Sequence, residues 1–503
     1  MKKTALFLML FTIFTQIIGF IRDITLSYFY GTSIISDAYL ISQTVPQTVF
    51  AFIGSGISTI FVPMYSKIVK ENSTQLADKF TNNIINFIII ISTIVVTIVL
   101  IFTIPIIKLF ASGFEGEALE WAVYFTRISI FGIYFSGIIY VISSYLQIKN
   151  KFRASALMTV PLNITVIISI ILSVKFSISF LSIGGLIGLL LQLLFLLPFA
   201  YKSGYRYKFV LDRHDRYLKN LLKLSVPVII GVSVYQINIL VDRTMASQIS
   251  SGGITAMTFA NRINSVIQGL FVASIATVLY PNISKMVVDN NKIGLIKAIK
   301  ESIIGIGLLV IPASIISIFF AEPIVKFLFE RGSFDKGASS ITADPLLFYS
   351  VGMIAFGVRE ILYRVFYSLQ DTKTPLINAA ISLFINIVLN VILSKYMGLG
   401  GLALATSLSG ILCTFLLFGS LRKKIGSIGI KSLLIVSIKI LLVSILMGVI
   451  SKLIYNNLII IISLNLSLIV SIFLGLLIYI VFIYLMKIKE VDNLFIKFKK
   501  RIQ

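Results

Sequence analysis

The sequence has only one cysteine and one histidine among its 503 residues. A single thiol cannot form a disulfide within the chain, and Cys413, in "GILCTFLLFG", is predicted to be a buried, inert thiol. His214 alone is too little for a histidine metal site or a histidine acid–base relay. The sequence also has no G-x-x-x-x-G-K-[ST] loop, so we do not expect an ATP-driven pump.

Charged residues are scarce, and this scarcity identifies the class of protein. Only 13% of the residues are charged, 57% are hydrophobic and the mean hydropathy is +1.00, whereas about a quarter of a soluble domain is charged. Apolar runs of the ~20 residues needed to cross a bilayer recur from end to end, for example at 87–107 and 468–486. The sequence therefore predicts an all-α polytopic membrane protein with no soluble domain left over.

The positive charge follows the membrane topology and does not indicate nucleic acid as a partner. The formal net charge is +24, and the basic residues concentrate in every second connection between apolar runs. The positive-inside rule then places both termini in the cytoplasm and favours an even number of spans. We predict about fourteen transmembrane helices, at residues 4–30, 36–66, 82–109, 121–147, 154–174, 179–201, 220–249, 254–284, 297–320, 343–369, 375–395, 398–420, 431–454 and 458–486.

Two halves of the sequence resemble each other. "SGISTIFVPMYSKIVKEN" at 55–72 and "ASIATVLYPNISKMVVDN" at 273–290 share proline, serine, lysine and asparagine at a shift of 218 residues. "SYLQIKNK" with the later Asn163 matches "YSLQDTKT" with Asn386 at a shift of 223. We predict two six-helix bundles related as parallel repeats around a central cavity, an arrangement typical of alternating-access transporters.

The repeat divides the chain into four parts. An N-terminal bundle at 1–205 and a C-terminal bundle at 220–421 are joined by a basic cytoplasmic linker at 206–219. Residues 422–503 add two transmembrane helices and a basic cytoplasmic tail. The alternative is a duplicated helical scaffold that transports nothing, and it predicts that neutralising charges in the cavity has no effect.

Several arginines fall inside predicted spans, where each costs ~2.5–3.5 kcal/mol unless it faces protein or a watery cavity. Arg22 is followed by Asp23 in the first helix of one half, and Asp242 is followed by Arg243 in the first helix of the other. Adjacent opposite charges could simply lock helices together. For Arg22 and Arg262 we favour an anion site, because a guanidinium binds phosphate oxygens in pairs and keeps its charge. These arginines predict a phosphate-bearing substrate.

Seven short motifs follow one another along nearly the whole chain: "GFIRD", "SDAYLIS", "FVPMYSK", "LVDRTMAS", "FANRI", "FLFERGSF" and "FYSLQDTKTP". In this order they resemble the motifs of the MurJ/MviN family of lipid II flippases, within the multidrug/oligosaccharidyl-lipid/polysaccharide exporter superfamily. The resemblance implies a transporter, not an enzyme, in the bacterial inner membrane. It would carry the undecaprenyl-pyrophosphate-linked peptidoglycan precursor to the outer leaflet, in contact with membrane lipids and with other cell-wall synthesis proteins as possible partners.

The resemblance also implies roles for particular residues. Arg22, Asp23 and Arg262 would face the pyrophosphate and sugar, and Asp37 in "SDAYLIS" would be the acidic residue near the outer gate. Asn163 is included with these four as a substrate-binding residue. The two extra helices, at 431–454 and 458–486, would hold the polyprenyl tail. Some members also bind sodium, so Na⁺ is the one cofactor considered, at the matching positions Asp242, Asn386, Asn390 and Thr406.

The chain departs from the family pattern at several positions. Gln16 and the pair Val49-Phe50 stand where many members have arginines, and Asn390 stands where some have a carboxylate. A cavity with fewer arginines would favour a different lipid-linked glycan, or would use other cations such as Arg127 or Arg359. The open alternatives are a flippase for a capsule or teichoic precursor, a multidrug cation antiporter, which the arginines disfavour, and an integral-membrane glycosyltransferase or lipid phosphatase.

Overall fold

The computed structural model describes residues 2–486, with side chains described from residue 11 onward except at 53, 55, 57–59, 273, 274 and 276–282. The predicted basic tail after residue 486 therefore lies outside the described residues. Within the described part the chain is helical and has no strand. The helices are α1 (Lys2–Tyr30), α2 (Ile34–Glu71), α3 (Thr74–Ile101), α4 (Thr103–Phe110), α5 (Gly116–Ser129), α6 (Gly132–Ile148), α7 (Phe152–Leu157), α8 (Thr159–Lys175), α9 (Phe180–Lys202), α10 (Arg216–Ile249), α11 (Gly253–Val288), α12 (Lys292–Phe319), α13 (Ala321–Phe329), α14 (Lys336–Ser368), α15 (Lys373–Ile425), α16 (Ile430–Leu458) and α17 (Leu464–Leu485).

The prediction of an all-α polytopic membrane protein is confirmed, while the number of spans stays a prediction. Among the described residues, nine helices are long and apolar enough to cross a membrane, and the α5–α6 pair, bent by 45°, would be a tenth. Helix α15 has 53 residues, or ~80 Å at 1.5 Å per residue, far more than the ~30 Å hydrocarbon core. It breaks at Gly398, whose φ of 53° and ψ of −131° are not helical. Gly398 is the first residue of the predicted span 398–420, so the break separates this span from the predicted span 375–395.

The chain forms two compact units. The first contains Met1–Thr255 together with Arg331–Asp335, and the second contains Ala256–Glu330 together with Lys336–Gln503. These units group residues by contact and do not test the predicted repeat, so the domain boundaries at 205, 219 and 421 stay a prediction.

The core of the first unit contains a group of packed aromatic rings among its aliphatic side chains. Helices α2, α3 and α6 meet at Phe61, Phe80, Tyr65 and Tyr145, each at most 1% exposed. The rings of Phe61 and Phe80 stack with their centroids 6.1 Å apart, and those of Tyr65 and Tyr145 meet edge to face at 5.6 Å. This packing fixes α3 against α2.

The core of the second unit is aliphatic and extends into the last two helices. Ile306 on α12, Val365 on α14, Leu417 on α15 and Ile440 on α16 are fully buried in one cluster. Tyr479 on α17 donates its hydroxyl hydrogen to the carbonyl oxygen of residue 308 at 2.9 Å. The helices after residue 421 are therefore packed as part of this unit.

Matching helix breaks occur in the two units. Helix α3 is followed by the non-helical Phe102 (φ −104°, ψ 30°) and α12 by the non-helical Phe320 (φ −122°, ψ 24°), and a short helix begins directly after each of them. A proline comes three residues after each phenylalanine and a lysine six residues after it. The two phenylalanines are 218 residues apart, which is the shift of the first pair of repeated motifs.

The ends of α6 and α14 also match. Each helix stops at a residue in the left-handed region, Asn150 and Gln370, both with a φ of 58°. The N–H of the following residue, Lys151 or Asp371, then donates to a carbonyl oxygen of the last helical turn, at 2.8 and 2.9 Å. This is the Schellman arrangement, which satisfies carbonyls that the helix leaves free.

An ion pair closes the turn between α14 and α15 and predicts a pH effect. Burial raises the pKa of Asp371, but hydrogen bonds from Lys424 and Thr374 outweigh it and lower the pKa from 3.8 to about 2. Because the folded pKa lies below the ordinary one, the stabilisation is present above about pH 4 and lost as the pH falls towards 2. We expect Asp371→Asn to lower the unfolding temperature at pH 7 and to have a much smaller effect at pH 2, where much of the carboxylate is protonated. An equal effect at both pH values would contradict this account.

Candidate functional site

The intramembrane pair on α1 is arranged with the carboxylate inside. Arg22 Nη2 and Nε donate to Asp23 Oδ1 at 2.8 and 3.1 Å. Neighbouring side chains on a helix diverge by about 100°, so the long arginine folds back to reach the aspartate. Asp23 is 7% exposed, whereas a third of the Arg22 side chain (34%) is accessible. The accessible charge of the pair is therefore the cation.

Asn163 on α8 completes this arrangement. Its Oδ1 accepts a hydrogen bond from Arg22 Nη1 at 3.2 Å, and its Nδ2 donates to the carbonyl oxygen of Thr159 at 3.0 Å. The second bond orients the amide so that the oxygen faces the arginine. Of the five N–H donors of a guanidinium, three are used here and two remain for a ligand. The structure thus brings together three of the five predicted substrate residues.

Asp37 has a different environment. It lies in the first turn of α2, is 2% exposed, and its Oδ1 accepts hydrogen bonds from the backbone N–H and the hydroxyl of Thr255, at 2.8 and 2.6 Å. Thr255 is in the first turn of α11, where free N–H groups and the helix dipole favour a negative charge. In this structure Asp37 holds the start of α11. Its role near an outer gate stays a prediction.

Arg262 lies half-buried on α11, in the second compact unit, whereas Arg22 lies in the first. That Arg22 and Arg262 bind the same anion stays a prediction. Of the two other cations considered, Arg127 on α5 is exposed. Arg359 on α14 lies over aromatic rings, with its guanidinium carbon 5.1 Å from the Phe356 centroid and 5.9 Å from that of Tyr363.

The structure brings together three of the four predicted sodium ligands. Asn390 Nδ2 donates to Asn386 Oδ1 at 3.1 Å, and Asn386 Nδ2 donates to Thr406 Oγ1 at 3.4 Å. All three lie on α15, on the two sides of its break at Gly398. Asp242, on α10, belongs to the first unit. The cluster offers neutral oxygens of the kind hard cations accept, and the four-ligand site stays a prediction.

One of the departures from the family pattern has a structural explanation. Phe50 is 5% exposed, and its ring packs against that of Tyr140 on α6 at a centroid distance of 5.1 Å. Position 50 is therefore used for packing between α2 and α6. An arginine there would require a different contact with α6.

A cavity of about 310 Å³ in the second unit was not predicted from the sequence. It lies between α11 and α14 and is lined by Gln268, Gly269, Val272, Phe356 and Glu360. Glu360 Oε1 accepts a hydrogen bond from Arg364 Nε at 3.0 Å and forms an ion pair with Nη2 at 3.0 Å. The spacing of four residues between a glutamate and an arginine is the sequence signal that could have indicated this pair.

Comparison with known proteins identifies the family. A family model described as lipid II flippase MurJ matches residues 26–474. The chain belongs to this family. The lipid II flippase MurJ of Thermosipho africanus is 30% identical over 462 residues, which are 89% of this chain and 94% of that protein.

Solved structures of this family and of a wider superfamily share the fold. A structure titled lipid II flippase MurJ, inward closed conformation, has a TM-score of 0.82 and 30% identity, and the match covers 96% of this chain and 98% of that one. An inward-facing multidrug resistance MATE transporter of the MOP superfamily has a TM-score of 0.68 at 17% identity, with 82% and 95% covered. The MATE likeness concerns the fold alone. MurJ membership identifies the chain as a multi-pass membrane transporter and not an enzyme.

Proposed function

We propose that this protein is a lipid II flippase, which moves the lipid-linked peptidoglycan precursor from the cytoplasmic to the outer leaflet of the inner membrane by alternating access. Membership of the MurJ family, over residues 26–474, is the observation that carries the proposal. The accessible guanidinium of Arg22 is the feature of this chain that fits it. The alternatives named from the sequence, among them a capsule precursor flippase and a glycosyltransferase, have no comparable support.

The proposed architecture has about fourteen spans, with two six-helix bundles related as parallel repeats, two additional helices and both termini in the cytoplasm. The breaks at Phe102 and Phe320 support the repeat, because each is followed by the same proline and lysine spacing. The matching left-handed turns at Asn150 and Gln370 support it independently. The basic alternate connections support the orientation.

In this proposal Arg22 binds the pyrophosphate. Two of its N–H donors are free of the bonds to Asp23 and Asn163, and a phosphate offers oxygens at the spacing of a guanidinium fork. The buried carboxylate of Asp23 compensates the arginine when no substrate is bound, so the charge is never isolated in the membrane. Arg262 supplies the second cation of the cavity.

The last two helices form the proposed surface for the polyprenyl tail. Large apolar side chains stay exposed along both of them, including Leu442 and Leu453 on α16 and Phe473 on α17, which are 58–60% exposed. Such a surface can pack against a hydrocarbon chain by van der Waals contact, so a polyprenyl tail lying on it stays in the apolar part of the bilayer.

Sodium binding by Asp242, Asn386, Asn390 and Thr406 is proposed as a regulator of the transport cycle. Asp242 is the only carboxylate of the set, so we expect Asp242→Asn to abolish a Na⁺-specific rise in unfolding temperature. For a sodium concentration a hundred times the Kd, the stabilisation lost is about 2.7 kcal/mol. Asp344→Asn, at an exposed position of α14, is the control. Equal stabilisation of the native protein by Na⁺ and K⁺ would contradict the site.

Complementation tests the proposed function. Cells depleted of their own lipid II flippase should survive when this chain is produced, and should lyse when it carries Arg22→Ala at the same membrane abundance. Lysis in the presence of the abundant native chain would exclude lipid II as its substrate. Restored export of a different lipid-linked glycan would then favour the capsule or teichoic alternative.

A further inference from the structure

The segment between α9 and α10, residues 204–215 and here called the strap, is tied to α3 along its length. Three asparagines of α3, Asn82, Asn83 and Asn86, are at most 4% exposed. Their side-chain amides donate to backbone carbonyl oxygens of the strap at 2.8–3.3 Å. A buried amide with satisfied donors holds the backbone that it binds, so the strap has a fixed path.

The strap returns a hydrogen bond to each asparagine. The hydroxyls of Tyr205 and Tyr207 donate to the Oδ1 atoms of the first and third asparagines at 2.5 and 2.6 Å, and the N–H of Asp212 donates to that of the second at 2.9 Å. Both ends of every amide are therefore used. Nothing in the membrane-transport proposal accounts for an attachment of this kind.

The depth of each part of the strap in the membrane follows from the position along α3 of the asparagine that binds it. Asn86 lies four residues beyond Asn82, which is about 6 Å further along α3. The apolar run of α3 begins directly afterwards, at Phe87. Val210, whose carbonyl oxygen binds Asn86, therefore lies level with the start of the apolar run. The tip of the strap reaches the boundary between the headgroups and the hydrocarbon.

The tip presents apolar side chains outward at this depth. Phe209 is 76% exposed, Tyr207 is 53% exposed and Leu211 is 37% exposed. Tyrosine is enriched at membrane interfaces because its ring is apolar and its hydroxyl is polar, and phenylalanine and leucine are typical of the apolar face of segments that lie in the interface. At this depth the exposed rings would be in contact with lipid.

Cations surround the apolar tip. Between residues 202 and 219 there are six basic side chains and two carboxylates, a net charge of +4. The two carboxylates are engaged locally: Asp212 accepts from the N–H of His214 at 2.9 Å, and Asp215 from that of Tyr217 at 2.8 Å. The basic side chains are Lys202, Arg206, Lys208, Arg213, Arg216 and Lys219, and all six are exposed.

We propose that the strap is a binding site for anionic phospholipids of the cytoplasmic leaflet, with Phe209 inserted at the interface and the flanking cations on the lipid phosphates. The leaflet follows from the proposed orientation of the chain. Basic residues at an anionic membrane surface contribute about 1 kcal/mol each, which is about a fivefold change in affinity. The fixed path of the strap places its cations and its apolar tip at the depths where each is favoured.

Fluorescence at position 209 tests the insertion. Phe209→Cys, made together with Cys413→Ser so that one thiol remains, is labelled with a polarity-sensitive fluorophore in the full-length protein. Nanodiscs contain phosphatidylcholine alone or with phosphatidylglycerol. We expect a blue-shifted emission that brominated lipids quench, and stronger quenching with phosphatidylglycerol. Quenching by aqueous iodide with no effect of brominated lipid would overturn the proposal and favour a soluble partner for this surface.

The contributions of the basic side chains and of the fixed path of the strap are tested separately. The quenching of the fluorophore at position 209 is measured at increasing fractions of phosphatidylglycerol. We expect Lys208→Gln and Arg213→Gln each to weaken the response about fivefold, whereas Lys67→Gln, at a 64% exposed position outside the strap, should leave it unchanged. Asn86→Ala keeps every charge but releases the tip, so it should lose the lipid quenching. An equal loss in Lys67→Gln, or no loss in either strap variant, would contradict the site.

Discussion

Replacing Arg22 with alanine is expected to reduce lipid II flipping by at least a hundredfold while leaving the protein in the membrane. The substitution removes the two N–H donors proposed for the pyrophosphate, and charge-assisted hydrogen bonds contribute about 1.5–3 kcal/mol each. It also leaves Asp23 without its counter-charge, so the site would repel an anion. Arg22→Lys should recover part of the activity, because an ammonium keeps the charge but lacks the fork.

The comparison variants separate substrate binding from packing. Arg422→Ala removes an exposed arginine at the end of α15 and should flip lipid II at the native rate. Asn163→Leu removes only the amide that orients the guanidinium, so we expect an intermediate loss that Arg22→Lys does not repair. Native flipping by Arg22→Ala at equal abundance would refute the proposed role of this arginine.

Replacing Asp37 with alanine is expected to destabilise the protein by about 2–4 kcal/mol, because it removes the acceptor of both hydrogen bonds from Thr255. The N–H and hydroxyl of Thr255 would then be buried without a partner. Asp37→Asn keeps an oxygen acceptor and should cost less, mainly the favourable interaction of the carboxylate with the start of α11. The unfolding temperature in detergent or nanodiscs is the measurement.

The same variants distinguish the two roles considered for Asp37. If it only holds α11, the loss of transport in Asp37→Asn should be no greater than the loss of folded protein. If Asp37→Asn unfolds at the native temperature and yet fails to flip lipid II, the carboxylate acts on the substrate or the gate, as the family resemblance implies.

The helices could be predicted closely from the sequence because the thickness of a bilayer sets the length of each apolar run. Helix α9 was predicted at 179–201 and is found at Phe180–Lys202. The loop near Glu322–Asp344 was predicted to contain a turn and a short helix, and helix α13 lies at Ala321–Phe329. Its bounds could not be predicted, because a run of nine residues shows no span and little periodicity. Its position after a helix break follows from the packing around Phe320, which is fully buried.

The candidate site was only partly visible in the sequence. Arg22 and Asp23 stand out because charges are rare in apolar helices, and Asn163 was found through the repeat. The burial of Asp37 could not be predicted, because its partner Thr255 lies 218 residues away. The asparagines that hold the strap are visible as "TNNIIN" in α3, but nothing local indicates which segment they bind.

Flipping of purified lipid II by the purified chain in sealed vesicles is the most direct test of the central claim. Lipid II carrying a fluorophore on its peptide is placed in both leaflets, and an impermeant reductant then bleaches the outer leaflet. Vesicles with the native protein should lose nearly all fluorescence as the inner pool is exposed, whereas vesicles with Arg22→Ala should retain the same protected half as protein-free vesicles. A protected half in vesicles with the native protein, at an abundance shown to be correctly inserted, would contradict the account.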